Sequence, residues 1–184
     1  LYSEMIVANA IIRGDRNKLL SFKKIFNPVT LQVGGSNPYE LAESCKIAED
    51  YGYQEINFNL GCPSKKVQKN KFGACLMQEP ILVAKCIEAM SKASKLPVTI
   101  KTRIGYNEVE NFEFLKSFIQ TTKGAGSKKF IIHARKALLK KLSPKENLNI
   151  PPLKYEFVYK LKEHFKNDEI IINGGIKSTE EIKS

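Results

Sequence analysis

Long apolar segments are absent from this sequence of 184 residues, of which 42% are hydrophobic and 27% are charged. No run approaches the roughly 18–20 consecutive apolar residues that a membrane-spanning helix needs. Glycine and proline number only 11 and 8, which excludes collagen-like and low-complexity chains. The sequence therefore predicts one globular domain, or part of a larger one, with a sizeable core and no membrane partner.

Cysteine and histidine are also scarce. The four cysteines form no C-x-x-C pair, and the two histidines, His133 and His164, lie far apart in the sequence. This spacing disfavours a zinc cluster, and the chain does not resemble a disulfide-stapled secreted domain. The motifs G-x-G-x-x-G and G-x-x-x-x-G-K-[ST] do not occur, which disfavours a Rossmann dinucleotide site and a P-loop. We expect no metal and a reducing, cytoplasmic setting, with an organelle as the alternative.

Positive charge is present in excess. Lysine and arginine total 30 against 19 acidic residues, a formal net charge of +11. Such an excess favours a polyanionic partner such as nucleic acid. Plain solubility on a lysine-rich background explains the charge equally well, so charge alone does not separate these readings.

Short β-rich runs alternate with longer helical patterns. We predict strands at Tyr2–Val7, Val29–Val33, Glu55–Asn59, Val98–Lys101, Lys129–His133 and Glu169–Ile172. We predict helices near Pro38–Tyr51, Pro80–Ala93, Val109–Thr122 and Lys154–Phe165. Regular alternation of this kind is typical of βαβ units and a parallel sheet.

Polar or glycine-rich segments follow five of the predicted strands, at Gln32–Gly35, Asn59–Ser64, Lys101–Arg103, His133–Arg135 and Asn173–Gly175. The carboxyl ends of parallel strands share one edge, where (β/α)8 barrels place their active sites. A doubly wound sheet uses that edge mainly at one switch point. We therefore predict an α/β fold of the (β/α)8 TIM-barrel type.

Cys62 is the sharpest single candidate because it follows a strand in a loop, within the sequence NLGCPS. A loop cysteine can act as a nucleophile, a general acid or a bystander. No histidine is close to it in the sequence, so an acid role is at least as plausible as a nucleophilic one. The other cysteines are better interpreted as small apolar fillers, and these are Cys45, Cys75 and Cys86.

Basic residues end two apolar strands. Lys101 either faces a ligand or lies at the solvated rim, and His133 is either a ligand contact or a structural histidine. Arg103 and Arg135 each follow two residues later, and such a cluster suits a phosphate or a carbonyl-rich heterocycle. The glycine pair at 174–175 is either a turn or a phosphate-binding backbone at a helix start.

The segment EINFNLGCPS at 55–64 resembles the signature of the tRNA-dihydrouridine synthases. The segments LQVGG at 31–35, IKTRIG at 100–105, IIHAR at 131–135 and INGGI at 172–176 match the remaining strand ends of that family in order. The segments FGACLM at 72–77, LSPKEN at 142–147 and IPPL at 150–153 are similar to its A type. The resemblance runs the length of the chain.

The resemblance implies a flavin-dependent (β/α)8 barrel followed by a small helical domain that grips tRNA. Residues 1–184 would carry barrel strands two to seven. The first strand, the eighth strand and the C-terminal helical domain would be absent. We expect an internal piece of a longer protein that is monomeric. By themselves, residues 1–184 should be poorly soluble and hold flavin weakly, because an open sheet exposes two edges.

The resemblance also implies the cofactor site. Gln32, Lys101 and His133 would contact the isoalloxazine and ribityl groups of FMN. Asn173, Gly174 and Gly175 would lie near its phosphate. NADPH would reduce the flavin, which would then pass a hydride to uracil.

For the substrate, the resemblance implies that Cys62 is the catalytic acid that protonates C5 of the uracil. Asn59, helped by Arg135, would hold the target nucleotide. The loop Lys141–Ile150 would contact tRNA, with Lys145 as the best single candidate, and Leu148 stands where a basic residue is expected.

The implied reaction is reduction of D-loop uridines in tRNA around positions 20 and 20a, which must leave the tRNA fold to reach the flavin. One alternative is a flavin-dependent barrel that reduces a small pyrimidine or an enone. Another is a non-catalytic tRNA-binding module.

Overall fold

Strands and helices alternate along the chain in a computed structural model that describes residues 1–139, 142–178 and 180–183. The strands are β1 (Ile6–Val7), β2 (Thr30–Gly34), β3 (Glu55–Leu60), β4 (Val98–Arg103), β5 (Lys129–His133) and β6 (Glu169–Asn173). The helices are α1 (Ala8–Arg13), α2 (Arg16–Leu20), α3 (Pro38–Asp50), α4 (Lys65–Lys69), α5 (Pro80–Ala93), α6 (Phe112–Gly124), α7 (Glu146–Asn149), α8 (Tyr155–His164) and α9 (Glu180–Lys183). Short 3-10 turns lie at Lys24–Phe26 and Gly73–Gln78.

The six strands pair in the order β1-β2-β3-β4-β5-β6, each parallel to its neighbour. A doubly wound sheet reverses its strand order at a switch point, whereas this order runs in one direction throughout. Helices connect the successive strands, as right-handed crossovers require. The arrangement is that of a partial (β/α)8 barrel, which confirms the predicted fold class.

Strand β3 shows how the sequence separates the two faces of the sheet. Ile56, Phe58 and Leu60 are fully buried in the hydrophobic core, together with helix residues such as Phe118. The alternate positions of β3 carry polar side chains that bond to neighbouring strands. Because side chains alternate along a strand, the helices cover one face and the barrel interior receives the other.

The helix starts follow local capping chemistry. Asn37 accepts hydrogen bonds from the N–H groups of Tyr39 and Glu40 at 2.9 and 3.4 Å, and Pro38 occupies the first turn of α3. Pro80 has the same place in α5. A proline there sacrifices no backbone hydrogen bond, so both helix starts are confirmed as predicted.

Some predicted boundaries are wrong. Of the strand predicted at Tyr2–Val7, the structure keeps only β1 and an isolated bridge between Tyr2 and Thr30, and α1 begins directly afterwards. The helix predicted from Val109 begins at Phe112, because Asn111 caps it by accepting from the Phe114 N–H at 2.8 Å. Short helices such as α2 and α4 were missed because five residues show too little periodicity.

Ser178 lies at the start of α9 and bonds to its first turn. Its hydroxyl accepts from the N–H of Glu181 at 3.4 Å, while the Glu181 carboxylate accepts from the N–H of Lys177 at 2.7 Å. Both bonds satisfy backbone N–H groups at the start of the helix. Thr179 lies outside the described residues.

Candidate active site

The carboxyl ends of β2 to β5 surround a cavity of about 240 Å³. The predicted residues Gln32, Asn59, Cys62, Lys101 and His133 all line it. An adjoining cavity of about 510 Å³ shares two of them and adds four more predicted residues, which are Arg135, Asn173, Gly174 and Gly175. The structure therefore brings every predicted site residue except Lys145 to one place.

The Cys62 loop is held by Asn59, three residues earlier. The Asn59 side-chain oxygen accepts hydrogen bonds from the N–H groups of Gly61 and Cys62 at 3.2 and 3.0 Å. Asn59 is itself buried, whereas Cys62 is half-buried and lines the cavity. Asn59 thus fixes the backbone of the Cys62 loop. Its contact with a nucleotide stays a prediction.

Gly73 packs directly beneath the cysteine. Its φ is +74°, and a Cβ there would lie 2.6 Å from the carbonyl oxygen of Cys62. That oxygen accepts from the N–H of Ala74 at 2.9 Å. A residue with a side chain at position 73 would displace the loop, which explains the glycine of the FGACLM segment.

The remaining cysteines lack the surroundings of a reactive thiol. Cys45 and Cys86 are fully buried, and burial raises the pKa of each to about 12. Burial also raises the pKa of Cys75, whose sulfur lies 3.0 Å from the Phe72 carbonyl oxygen. These thiols remain protonated at neutral pH, in agreement with their interpretation as fillers.

Lys101 faces the pocket from β4. Its ammonium group donates to the side-chain oxygen of Asn173 at 3.0 Å. Burial lowers the pKa of Lys101, and the neighbouring guanidinium of Arg103 lowers it further. This contact joins β4 to β6 across β5 and places a cation at the junction of the two cavities.

His133 ends β5 and is buried, with 6% of its surface exposed. Burial lowers its pKa to about 3, aided by the positive charges of Arg103, Lys101 and Arg135. Its Nε2 atom has no hydrogen-bond partner among the described residues. A neutral imidazole with a free nitrogen is therefore available to a bound group at neutral pH.

The two glycines after β6 line the adjoining cavity and pack closely against His133 and Tyr155. Gly174 and Gly175 have φ angles of +101° and +79°, and a Cβ at Gly174 would lie 2.7 Å from His133 Nε2. A Cβ at Gly175 would lie 2.7 Å from the Tyr155 hydroxyl. The free imidazole nitrogen, the side-chain-free backbone and the Lys101 cation together fit the flavin that the resemblance implies.

Arg103 lines the cavity of about 240 Å³ and also connects two loops. It is only 3% exposed, and its guanidinium donates to the carbonyl oxygens of Gly61 at 2.9 Å, Lys136 at 3.1 Å and Asn147 at 3.1 Å. Burial lowers its pKa to about 10, so it stays charged at neutral pH. Arg103 therefore braces the Cys62 loop against the segment that follows β5.

The segment after β5 is organised by buried Asn147. Its side-chain oxygen accepts from the Leu138 N–H at 2.7 Å, and its amide nitrogen donates to the carbonyls of Leu138, Leu142 and Ser143. Sequence reasoning had not singled out Asn147. Its signal was only a polar residue in a long loop, and the full burial became visible in the fold.

The predicted tRNA-contacting residues lie on this segment and beside it. Lys145 is exposed, next to the cavity-lining Pro144, and Leu148 lines both cavities. Arg135 Nη1 donates to the carbonyls of Pro151 and Asn149. Lys141, the first residue of the predicted tRNA-contacting loop, lies outside the described residues.

Sequence reasoning also missed the polar interior of the barrel. Asn57 is fully buried and donates to Thr99 at 3.0 Å, while Gln32 donates to Asn57 at 2.9 Å. The signal was present as alternation in β3, where Glu55, Asn57 and Asn59 occupy every second position. That pattern assigns all three to one face of the sheet.

A basic rim follows the Cys62 loop and was not predicted either. Four exposed lysines lie on α4 and just after it, and we call them the α4 lysines: Lys65, Lys66, Lys69 and Lys71. Helix α4 begins at the cap Ser64, whose hydroxyl accepts from the Val67 N–H at 3.2 Å. The positive charge of these lysines therefore lies at the carboxyl edge of the sheet.

In the part of the chain that the structure describes, no helix combines the length and the apolar character needed to cross a membrane.

Comparisons with known proteins agree with the motifs. A family model for dihydrouridine synthase (Dus) matches residues 1–184. The chain is 54% identical over 183 residues to a tRNA-dihydrouridine(20/20a) synthase from Synechocystis sp., covering 100% of this chain and 55% of that protein. It is 52% identical over 184 residues to a protein of the same name from Shewanella oneidensis, with the same coverage of both chains.

The chain thus spans about half the length of the curated relatives it matches. Among solved structures, it is similar to phosphonopyruvate hydrolase in complex with oxalate and Mg++, at a TM-score of 0.46 and 14% identity. That match covers 80% of this chain and 54% of the other.

Proposed function

The chain belongs to the dihydrouridine synthase family, and from this premise we propose that it carries the active site of a tRNA-dihydrouridine synthase. The reaction is reduction of the C5–C6 bond of uridine in the D-loop, at positions 20 and 20a, the positions in the names of its relatives. The observation that carries the proposal is one pocket lined by Cys62, Lys101 and His133. The chain forms the catalytic part of a longer protein, which also includes the helical domain.

The cofactor is FMN, with NADPH as the reductant. Lys101, His133 and Gln32 would hold the isoalloxazine and ribityl groups, and Asn173, Gly174 and Gly175 would hold the phosphate. When bound and reduced, the flavin supplies the hydride that adds to C6 of the uracil. The Lys101 ammonium stabilises negative charge that develops in the pocket.

Cys62 is the general acid. Hydride addition at C6 leaves a pair of electrons delocalised over C5 and the C4 carbonyl of the uracil. The Cys62 thiol donates its proton to C5, and the thiolate that remains recovers a proton from solvent. General-acid catalysis of this kind contributes ~10²–10⁴ in rate, and Asn59 orients the loop that carries the thiol.

The substrate is tRNA, the substrate in the names of the relatives, and the α4 lysines lie beside the Cys62 loop. The formal net charge of +11 supplies attraction to the phosphate backbone, which dominates nucleic-acid affinity. Arg135 and Asn59 face the nucleotide, Lys145 contacts the tRNA from the segment after β5, and the α4 lysines contact phosphates beside the Cys62 loop.

The acid assignment is tested in the whole protein with FMN, NADPH and unmodified tRNA, measuring dihydrouridine by nucleoside mass spectrometry. We expect Cys62→Ala to lower the rate by at least ~10²-fold with flavin and tRNA binding unchanged. Cys75→Ala removes the other half-buried thiol and serves as the matched control, with a rate close to that of the wild type. Reduction of uridine at the normal rate by Cys62→Ala would show that the assignment is wrong.

The same assay separates the alternatives. A flavin that NADPH reduces beside unchanged tRNA, and that reoxidises on adding a free pyrimidine or an enone, identifies a small-molecule reductase. Binding of tRNA without flavin reduction identifies a non-catalytic tRNA-binding module. Dihydrouridine in the D-loop supports the proposed reaction against both.

The α4 lysines are tested by salt dependence. Changing Lys65, Lys69 and Lys71 together to glutamine should weaken tRNA binding about 10-fold and flatten the dependence of log affinity on log salt by roughly 2. The control changes Lys95, Lys128 and Lys166 to glutamine, which are exposed at the opposite edge of the sheet. Equal losses in both triple variants would show that the α4 lysines contribute only general charge.

A further inference from the structure

A continuous chain of hydrogen-bonded side chains crosses the barrel interior from the amino end of β3 to the Cys62 loop. We call it the interior chain, and it is formed by Glu55, Thr99, Asn57, Gln32 and Asn59. Its middle members lie in register on three neighbouring strands, since Asn57 pairs with Gln32 on one side and with Thr99 on the other.

At the amino end, the direction of the bonds is set by groups that can only accept. The Thr99 hydroxyl lies 2.9 Å from a Glu55 carboxylate oxygen and 3.3 Å from the Ile56 carbonyl oxygen. The other Glu55 oxygen accepts from the Lys129 ammonium group at 3.0 Å. Thr99 must donate its one proton in this direction, so its oxygen lone pairs are left to accept from Asn57.

The direction of the Asn57–Thr99 hydrogen bond determines the direction of the bonds between the side-chain amides. Because the Asn57 nitrogen donates to Thr99 at 3.0 Å, its oxygen faces the Gln32 nitrogen and accepts from it at 2.9 Å. The Gln32 oxygen in turn accepts from the Asn59 nitrogen at 2.9 Å. Each amide has one donor end and one acceptor end, so fixing the first fixes the next two.

At the carboxyl end, the direction is set independently by groups that can only donate. The Asn59 oxygen faces the backbone N–H groups of Gly61 and Cys62 at 3.2 and 3.0 Å. An amide turned the other way would place an NH₂ group against two N–H donors. The carboxylate at one end and the backbone at the other therefore demand the same polarity.

We propose that Thr99 and Asn57 are positioning residues for Cys62, acting through Gln32 and Asn59 along the interior chain. Glu55 anchors the chain at the far end of the barrel, so a group remote from the reacting atoms determines how firmly the Cys62 loop is held. Asn57 is fully buried and Thr99 nearly so, which makes an unsatisfied or reversed bond costly. The consequence for the reaction rests on the proposed function, whereas the consequence for the loop does not.

The test compares two substitutions at one position in the whole protein. Thr99→Val keeps the shape but removes the hydroxyl, and Thr99→Ser keeps the hydroxyl. Thr122→Val is the matched control, because it also removes a fully buried hydroxyl, one that bonds only to carbonyls of its own helix α6. Hydrogen exchange of the Cys62 backbone amide, measured without flavin or tRNA, is the first readout.

We expect Thr99→Val to accelerate exchange of the Cys62 amide about 3- to 10-fold, because Asn59 is then anchored from one end only. The kcat for uridine reduction should fall by a similar factor, with the KM for tRNA within about 2-fold. Thr99→Ser should recover most of both losses. Thr122→Val should lower thermal stability without changing exchange at Cys62.

Unchanged exchange at Cys62 in Thr99→Val would overturn the proposal. If that variant folds poorly, Glu55→Gln tests the proposal instead. The glutamine amide can donate as well as accept, so it no longer determines the direction of the hydrogen bonds in the interior chain. Faster exchange in Glu55→Gln then supports the proposal, and wild-type exchange overturns it. If wild-type protein leaves tRNA unmodified while the exchange contrast persists, the proposed function fails and the positioning role stands.

Discussion

The two walls of the pocket use their polar atoms in opposite ways. On the wall of β2, β3 and β4, Gln32, Asn57 and Asn59 bond to one another and to the backbone of the Cys62 loop. On the wall of β5 and β6, His133 Nε2 has no partner among the described residues, and Gly174 packs closely against its ring. The first wall holds a reacting group in place, whereas the second is shaped for a ligand that supplies the missing contacts.

The largest expected effect comes from adding a side chain against the His133 ring. Gly174→Ala should reduce flavin affinity by at least ~10²-fold, because its Cβ would lie 2.6–2.7 Å from the His133 ring. Gly52→Ala is the control: Gly52 also has a positive φ, +85°, but a Cβ there meets nothing within 4 Å. Flavin titration by fluorescence measures both. Normal flavin affinity in Gly174→Ala would show that the contact between Gly174 and His133 is not part of the cofactor site.

A smaller effect should follow from replacing Arg103, which connects the two walls of the pocket. Arg103 donates to Gly61 on one side and to Lys136 on the other, so Arg103→Met leaves buried carbonyls without partners. We expect kcat/KM for tRNA to fall about 10- to 100-fold and the melting temperature to drop by several degrees. Arg103→Lys should recover part of the stability and less of the activity, since one ammonium cannot reach all three carbonyls. A variant with full activity and a lower melting temperature would limit Arg103 to a stabilising role.

The smallest effect concerns proton uptake at His133. Its pKa is about 3 in the folded protein and ~6.5 in an unfolded chain. Between these values the unfolded chain binds a proton that the folded protein does not, so stability is complete above pH ~6.5 and declines as pH falls towards 3. From pH 7 to pH 5, wild-type protein should lose roughly 1–2 kcal/mol more stability than His133→Gln.

Thermal unfolding at a series of pH values measures this difference. His164→Gln, at the exposed histidine of α8, is measured beside it as the control for replacing a histidine. Identical pH profiles for wild type and His133→Gln would mean that the folded protein protonates His133 readily. The pocket wall of β5 and β6 would then carry more positive charge at low pH.

The sequence was sufficient to predict where the site residues at strand ends lie. Cys62, Lys101 and His133 could be placed at one edge because each follows or ends an apolar run, and parallel strands finish together. The interior chain was harder to predict. Its polar alternation is visible in β3, but Gln32 lies 25 residues and Thr99 42 residues from Asn57. The sequence of one strand does not identify the residues of other strands to which its side chains bond.

Arg103 shows the limit most clearly. Its place two residues after Lys101 indicated a cation beside a ligand, and Arg103 does line the cavity. Its three carbonyl partners, which lie in two segments 33 to 44 residues away, became visible only in the fold. Local periodicity determined the alternation of strands and helices, the barrel class and the edge where the chemistry lies. Tertiary structure decided which polar groups are satisfied within the protein and which remain for a ligand. Hydrogen-bond partners are chosen by distance in space, and that distance is set only once the strands have paired.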